Sequence, residues 1–224
     1  MIKFLKKIIF FSFLYTKGIK KPRSPSIIPI IHYLRGYFRK KPLKVLEIGA
    51  RFGESSKVIL HSLNVSEYVI IDPYQEYDEY INDPCNEIIK NVGGDNIFNK
   101  VSSELKAINN KVTFIREFSD SDAVFNAIKN NKFDLIFVDG NHEYSYVLKD
   151  IQNYFPYLNK GGIICGDDFH DRSKSNDYLG SLPHSNERPM VYEAVMEFEK
   201  ESGRKHFGFG SHRGYNKTFA FKND

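Results

Sequence analysis

Cysteine is scarce in this 224-residue sequence, which contains only Cys85 and Cys165. Two cysteines so far apart exclude a disulfide framework and a cysteine-rich zinc site, so a reducing, cytoplasmic compartment is expected. Glycine (15 residues) and proline (9 residues) are too few for a collagen-like or linker-like chain. No apolar run reaches the roughly 18–20 residues that a membrane-spanning helix needs. The hydrophobic share of 41% still allows a sizeable core, which predicts a globular protein of ordinary domain size.

Acidic residues are absent from the first 44 positions, where 12 Lys and Arg residues occur. The remaining 180 residues carry 20 basic and 28 acidic side chains. An acidic body with a basic N-terminal arm favours contact between that arm and an anionic surface. We therefore divide the chain into a basic arm and linker, residues 1–41, and a domain, residues 42–224.

The arm begins with a basic, aromatic stretch, residues 1–15, whose pattern suits an amphipathic helix. Three interpretations of this stretch are open. A signal peptide has the right polarity, but no small-residue cleavage site follows it. A membrane-surface anchor within residues 1–23 fits the basic and aromatic pattern. The third interpretation is a helix that packs on the domain, or that joins two copies in a homo-oligomer. The prolines that follow, at positions 22, 25 and 29, predict a linker.

Short apolar runs alternate with helical patterns from Leu43 onward. Strands are predicted at Leu43–Ile48, Tyr68–Ile71, Val112–Ile115, Phe133–Val138, Ile163–Cys165, Phe207–Ser211 and Thr218–Phe221. Helices are predicted at Ile30–Phe38, Glu54–Leu63, Asp122–Lys129, Tyr144–Leu158 and Met190–Glu201. Apolar strands without polar alternation indicate a parallel sheet that helices cover on both faces. The predicted fold class is therefore α/β, a Rossmann-like doubly wound sheet of about seven mostly parallel strands with an antiparallel C-terminal strand.

Acidic residues follow most of the predicted strands at their carboxyl ends, where open parallel sheets bind their ligands. The residues concerned are Glu47, Asp72, Asp139, Asp167 and Asp168. Random surface acidity would not favour strand ends on one edge of a sheet. The sequence therefore predicts a ligand site at this edge.

The turn after the first strand carries Gly49 and Gly53, which suit a backbone that approaches a ligand closely. Arg51 stands where the dinucleotide signature G-x-G-x-x-G has its second glycine, so a ligand without a pyrophosphate is favoured. Asp72 lies 23 positions after Gly49 and ends the second strand. A carboxylate there can accept hydrogen bonds from both hydroxyls of a ribose, or it can simply end a turn.

Two segments resemble motifs of a known enzyme family. Residues 45–56, Val-Leu-Glu-Ile-Gly-Ala-Arg-Phe-Gly-Glu-Ser-Ser, resemble the first motif of class I S-adenosylmethionine-dependent methyltransferases. Residues 133–142, Phe-Asp-Leu-Ile-Phe-Val-Asp-Gly-Asn-His, resemble their fourth-strand motif, and the likeness continues to Asp168. The subgroup resembled includes sugar and antibiotic O-methyltransferases and cephalosporin hydroxylase-like proteins. The resemblance implies S-adenosylmethionine as cofactor and a small polar acceptor, such as a sugar or glycan hydroxyl.

The resemblance also implies cofactor contacts for individual residues. The pocket for the methionine part of the cofactor would be shaped by Glu47, Gly49 and Gly53. Asp72 would hold the ribose hydroxyls, and Arg51 would lie over the cofactor carboxylate. The residues expected near the adenine are Phe118 and Ser119, which follow the third strand.

Asp139, Asp167 and Asp168 predict a magnesium site, because adjacent carboxylates repel one another unless a cation or a proton offsets them. A bound ion would lower the pKa of the acceptor hydroxyl. The alternative is that these residues only order their loops. His142, three positions after Asp139, is the candidate general base and with Asp139 forms the predicted catalytic pair. Its alternative role is to order the loop, and His170 is a second candidate base.

Two further functions stay open at this level. The basic arm could guide methylation of RNA or protein, although it lacks an RNA-binding signature, so nucleic acid is not the expected partner. The fold could also serve as a non-catalytic cofactor-binding module. Residues 73–111 and 173–188 are each a candidate lid or acceptor-recognition element, or else a plain surface excursion.

Overall fold

One seven-stranded sheet organises the protein. The computed structural model describes residues 2–22, 25–76, 84–169, 190–209 and 218–224. The strands are β1 (Leu43–Ile48), β2 (Val65–Ile71), β3 (Val112–Ile115), β4 (Phe133–Val138), β5 (Leu158–Gly166), β6 (Phe207–Phe209) and β7 (Thr218–Lys222). Their order across the sheet is β3-β2-β1-β4-β5-β7-β6. The first five strands are parallel, and β7 runs antiparallel to both β5 and β6. The predicted fold class is confirmed.

Helices cover both faces of this sheet. Those in the described ranges are α1 (Ile2–Thr16), α2 (Ile28–Phe38), α3 (Glu54–Ser62), α4 (Pro84–Val92), α5 (Gly94–Ile108), α6 (Asp122–Ile128), α7 (Tyr144–Tyr154) and α8 (Val191–Ser202). A short 3-10 turn, Phe155–Tyr157, follows α7. One hydrophobic cluster joins the sheet to α1, α2, α3 and α5, and a second joins its other face to α6, α7 and α8.

The central strand β4 illustrates why the sequence runs are apolar without alternation. Leu135 and Phe137 point into the cluster on one face, and Ile136 and Val138 point into the cluster on the other. All four side chains are buried. Because successive residues of a strand face opposite sides, a sheet covered on both sides needs apolar residues at every position.

The predicted boundaries at the start of β5 are wrong. The predicted helix reaches Leu158, but α7 ends at Tyr154 and Leu158 is already the first residue of β5. Leu158 pairs with Phe133 of β4, so the strand begins well before the predicted Ile163. Gly161 and Gly162 therefore lie inside the strand, where the register between β4 and β5 shifts. Tertiary pairing overrides the local helical pattern here.

The N-terminal arm packs into the cluster that it shares with the domain. Phe10 and Leu14 of α1 are buried, as are Ile31 and Leu34 of α2. Of the three interpretations of residues 1–15, the packed helix is the arrangement that the structure has. None of the helices in the described ranges is long and apolar enough to cross a membrane.

Candidate functional site

The turn after β1 brings two strand ends into contact. Gly49 has a φ of +79°, and a Cβ atom there would lie 2.3 Å from the carbonyl oxygen of Asp139 and 2.6 Å from Cα of Gly140. Gly53 has a φ of +70°, and a Cβ atom there would lie 3.0 Å from Cγ1 of Val101 in α5. Packing against backbone therefore requires glycine at position 49, whereas at position 53 the positive φ favours it. The close approach at Gly49 also places the predicted cofactor turn beside the predicted catalytic Asp139.

Strained backbone is concentrated at the same edge of the sheet. In the described ranges, four residues other than glycine have positive φ, and three of them follow strands: Arg51 (47°) after β1, Tyr74 (51°) after β2 and Asp168 (51°) after β5. The left-handed conformation of Arg51 explains why a glycine is usual in this position of the motif. Such conformations persist only where the surrounding structure enforces them, and they cluster at functional sites.

Asp72 organises the turn after β1 through three backbone groups. Its Oδ2 accepts hydrogen bonds from the N–H groups of Ala50 (2.9 Å) and Arg51 (2.8 Å), and its Oδ1 accepts one from Tyr74 (2.8 Å). Burial raises the pKa of Asp72, although these hydrogen bonds favour its ionised form. Each carboxylate oxygen can accept more than one hydrogen bond. The predicted contact with ribose hydroxyls is compatible with this arrangement and stays a prediction.

Glu47 lies on the core side of β1. Its carboxyl group accepts hydrogen bonds from the hydroxyls of Ser56 in α3 and Tyr68 in β2, and Oε1 is buried without a hydrogen-bond partner. Burial raises the pKa of Glu47 to about 8, so the side chain is largely protonated at neutral pH. Any effect of Glu47 on the cofactor pocket is thus exerted through the strand and helix that it joins.

A shallow, open cleft lies at the carboxyl ends of β1, β2, β3 and β4. Its lining includes three of the predicted cofactor residues, Gly49, Phe118 and Ser119, together with Asp120 and Asp150. Residues from both predicted motifs therefore meet in one cleft. This is the position at which open parallel sheets bind ligands.

Asp150 is a site residue that the sequence analysis missed. It is buried on α7, and its Oδ1 accepts a hydrogen bond of 2.6 Å from the Ser119 hydroxyl. Tyr154, one helical turn later, donates a hydrogen bond of 2.5 Å to the carbonyl of Ser119. Burial raises the pKa of Asp150 to about 7. The signal that could have revealed it is an acidic residue between Val147 and Ile151, on the apolar face of a predicted helix.

Replacing Asp150 with Asn will change the pH dependence of stability. Because the pKa of Asp150 is raised from 3.8 to about 7, its stabilising effect is complete below pH 4 and is lost as the pH rises towards 7. An uncharged Asn avoids ionisation of a buried carboxyl group. Between pH 4 and pH 7, the free energy of unfolding of the variant should therefore rise by roughly 2–4 kcal/mol relative to that of the wild type.

Urea unfolding between pH 4 and pH 8 measures this difference. The matched control is Tyr154→Phe, which removes the other hydrogen bond to Ser119 without removing a carboxyl group. We expect the control to lower stability by a similar amount at every pH. Equal pH slopes for wild type and Asp150→Asn would contradict the assignment.

His142 stands between two of the predicted acidic residues. Its Nδ1 lies 3.1 Å from Oδ2 of Asp168, and its Nε2 lies 3.4 Å from Oδ1 of Asp139. Burial opposes the charged form of His142, but the two carboxylates outweigh this effect and hold its pKa well above the ordinary value. Burial raises the pKa of neighbouring Asp167 to about 8, and the charges of Asp139 and Asp168 add to that rise. We call Asp139, His142 and Asp168 the carboxylate–histidine trio.

The arm also reaches the carboxylate–histidine trio. The hydroxyl of Ser26, two residues before the first residue of α2, lies close enough to the carboxylate of Asp139 to favour its ionised form. Ile27, the next residue, is fully buried in the cluster shared with the domain. Sequence analysis assigned this segment to a linker and missed Ser26, because nothing in the local pattern indicates a contact across more than 100 positions.

The three predicted metal ligands do not form a metal-binding set as they are placed. In the ranges that the structure describes, no group of three or more His, Cys, Asp or Glu side chains is arranged to hold a metal ion. His142 occupies the position between Asp139 and Asp168, which is where a cation would have to bind to neutralise both carboxylates. A protonated histidine offsets the repulsion that suggested an ion. Magnesium binding by Asp139, Asp167 and Asp168 therefore stays an unconfirmed prediction.

Several candidates lie outside the described residues. They are His170, the second candidate base, the loop at 173–188, and Tyr77 and Tyr80 of the segment at 73–111. In the described part of that segment, residues 84–92 and 94–108 form α4 and α5, and α5 contributes Ile97, Val101 and Leu105 to the core.

Comparison with known proteins agrees with this geometry. A family model described as a methyltransferase domain matches residues 46–169. The uncharacterized protein R132 of Acanthamoeba polyphaga mimivirus is 25% identical over 202 residues, which are 86% of this chain and 85% of that protein. The fold is similar to an O-methyltransferase from Bacillus cereus in complex with SAH (TM-score 0.56, 15% identity, 90% and 82% of the two chains). It is also similar to the O-methyltransferase TomG from Streptomyces achromogenes in complex with SAM (TM-score 0.53, 14% identity, 88% and 79%).

Proposed function

Because this chain belongs to the methyltransferase-domain family and has the class I S-adenosylmethionine-dependent methyltransferase fold, we propose that it methylates a hydroxyl of a small polar acceptor. A sugar or glycan is the acceptor class that we propose. The observation that carries the proposal is that the cleft and the carboxylate–histidine trio adjoin at the same edge of the sheet. Gly49 of the cleft lies against the backbone of Asp139, which belongs to the carboxylate–histidine trio.

The cleft supports a proposed place for the cofactor. S-adenosylmethionine supplies a methyl group on a positively charged sulfur, which leaves as a neutral thioether. We propose that Phe118 and Ser119 lie beside its adenine, and that Asp150 keeps Ser119 in position. Asp72 retains acceptor capacity for the ribose hydroxyls. Arg51 is exposed at the turn, where its guanidinium could pair with the cofactor carboxylate.

The carboxylate–histidine trio supports a proposed role at the acceptor. When the acceptor oxygen forms its bond to the methyl carbon, the hydroxyl proton must leave, and the electron pair of the broken bond stays on sulfur. We propose that the Asp139 carboxylate receives this proton, while protonated His142 lies beside it and Asp168 orients the imidazole through Nδ1. No covalent intermediate on the protein is needed. Most of the rate enhancement then comes from aligning oxygen, carbon and sulfur in the absence of bulk water.

Removal of divalent metal tests the magnesium prediction separately. With His142 between Asp139 and Asp168, methyl transfer needs no ion to balance these carboxylates. We expect dialysis against EDTA to change turnover by less than about twofold, and magnesium to restore nothing further. A loss of about 100-fold that magnesium reverses would instead require His142 to leave its position and the three carboxylates to bind an ion.

Calorimetric titration of S-adenosylmethionine and S-adenosylhomocysteine into the purified protein tests the class of activity. We expect micromolar binding of both ligands, with and without magnesium, which corresponds to about −8 kcal/mol. A screen of sugar and phenolic acceptors with labelled cofactor then tests the acceptor class. Binding of neither ligand by a folded sample would overturn the proposed activity. Transfer to RNA or protein alone would overturn the small-molecule acceptor while leaving the cofactor assignment in place.

A further inference from the structure

Helix α1 lies on the domain with one face fixed. Phe10 and Leu14 are buried, and the ring of Phe10 packs against the ring of His32 in α2 with their centroids 4.6 Å apart. The ring of Phe13 meets the edge of His61 in α3, with the centroids 6.5 Å apart. These contacts hold α1 against α2 and α3, so the opposite side of the helix faces away from the protein.

The outward side of α1 is apolar. Ile9 is 61% exposed and Tyr15 is 65% exposed, the two largest values among the exposed large hydrophobic residues in the described ranges. Ile8 and Phe13 are exposed as well, at 40% and 39%. At 100° per residue, Ile8, Ile9 and Tyr15 occupy one arc, with Phe13 at its border. Within residues 8–16 the other positions of this arc are Ser12 and Thr16. We call this arc the outer face of α1, and it carries no charged residue.

Exposed lysines border one side of the outer face and continue beyond the end of α1. Exposed lysines occur at positions 6, 7, 17, 20 and 21. Within the part of the chain that the structure describes, none of these lysines forms an ion pair with a carboxylate. Lys6 and Lys17 fall on the border of the outer face next to Ile9 and Phe13. No acidic residue precedes Glu47 in the sequence, so nothing nearby on the arm offsets this charge.

We propose that the outer face of α1 docks on an anionic lipid surface. An apolar arc bordered by lysines and aromatic residues suits a helix that lies in the plane of the headgroups. Ile8, Ile9 and Tyr15 would enter the boundary between headgroups and acyl chains, while the lysine stems lie along it and place their ammonium groups among lipid phosphates. The protein body, attached through Phe10 and Leu14, stays on the aqueous side.

The charge of the arm and its apolar arc favour an anionic lipid surface over two other partners, a second copy of the chain and an RNA. A second copy of the chain would bring two arms of like charge together, which opposes pairing through this face. An RNA would contact the lysines through its phosphates but would leave Ile9 and Tyr15 in water. Only a surface that is both negatively charged and apolar beneath its charges complements the whole outer face. This inference is independent of the proposed activity.

Vesicle sedimentation with the full-length protein tests the proposal. We expect binding to vesicles of phosphatidylcholine with about one-third phosphatidylserine to be at least about tenfold tighter than binding to phosphatidylcholine alone. Ile9→Asp should weaken binding to the anionic vesicles by about tenfold or more, because it places a charge in the apolar arc. Lys6→Glu with Lys17→Glu should weaken it by a similar factor or more.

Val92→Asp is the matched control, because Val92 is a 49% exposed aliphatic residue on α4. We expect it to leave vesicle binding within about twofold of wild type. Thermal unfolding of each variant verifies that the fold is retained. The proposal is overturned by equal binding to both vesicle types, by no binding to either, or by equal effects of Ile9→Asp and Val92→Asp. Self-association that Ile9→Asp abolishes, without lipid binding, would assign the face to a second copy instead.

Discussion

Replacing Asp139 with Asn will lower kcat for methyl transfer by about 100-fold or more, while the affinity for S-adenosylmethionine changes by less than about threefold. The carboxylate lies beside His142 and is proposed to receive the acceptor proton. Asn has nearly the same shape as Asp and carries no charge. The contact with Gly49 involves only the backbone of residue 139, so the cleft should keep its shape.

A purely structural role for Asp139 predicts a different result. In that case Asn would lower the melting temperature and cofactor affinity together. We instead expect unchanged or slightly higher stability, because the variant removes one of the mutually repelling acidic groups near Asp167 and Asp168. Asp224→Asn is the control, since Asp224 is an exposed carboxylate paired with Lys222 at the end of the chain. Turnover of Asp139→Asn equal to that of the control would contradict the catalytic assignment.

Replacing Gly49 with Ala will destabilise the protein by about 3–5 kcal/mol and will weaken cofactor binding by about 100-fold or more. The new Cβ atom would lie 2.3 Å from the carbonyl oxygen of Asp139, so β1 and β4 must separate at their carboxyl ends. The positive φ of +79° adds backbone strain. Both effects act at the floor of the cleft. Chemical unfolding and calorimetric titration of S-adenosylmethionine measure them separately.

Two other glycines calibrate this result. Gly203 has a φ of +68°, and an added Cβ atom there would have nothing within 4 Å. Gly203→Ala should therefore lower the free energy of unfolding only through backbone strain, by about 1–2 kcal/mol. Gly53 also has positive φ, and an added Cβ atom would lie 3.0 Å from a flexible side chain. We expect its substitution to rank between the other two. If Gly49→Ala costs no more than Gly203→Ala, the close approach of β1 and β4 is not a constraint on the site.

Sequence patterns predicted the parallel sheet because their signals are local. The strands of the central sheet are short apolar runs, and β1, β2 and β4 are followed at once by Gly or Asp. A doubly covered sheet is one of few structures that bury such runs. The bounds of β1, β3 and β4 agree with the prediction, as do those of α3 and α6 to within one residue. The same reasoning placed acidic residues at one edge, since the carboxyl ends of parallel strands must meet there.

The contacts made by those residues depended on tertiary structure. Asp72 is committed to three backbone N–H groups, and His142 fits between Asp139 and Asp168. Neither arrangement follows from spacing, because a carboxylate at a strand end can face a ligand, a metal ion or its own turn. Which of these it meets depends on side-chain directions within a few ångströms.

By itself, the sequence determined the fold class and the edge of the sheet at which the site is expected, whereas the strand order came from the structure. Only the tertiary structure brought Ser26 to Asp139 and Asp150 to Ser119. It also decided that α1 buries Phe10 and Leu14 and leaves Ile9 and Tyr15 outside. The reason is physical: strand formation and turn formation depend on neighbouring residues, whereas these contacts depend on the packing of elements that are distant along the chain.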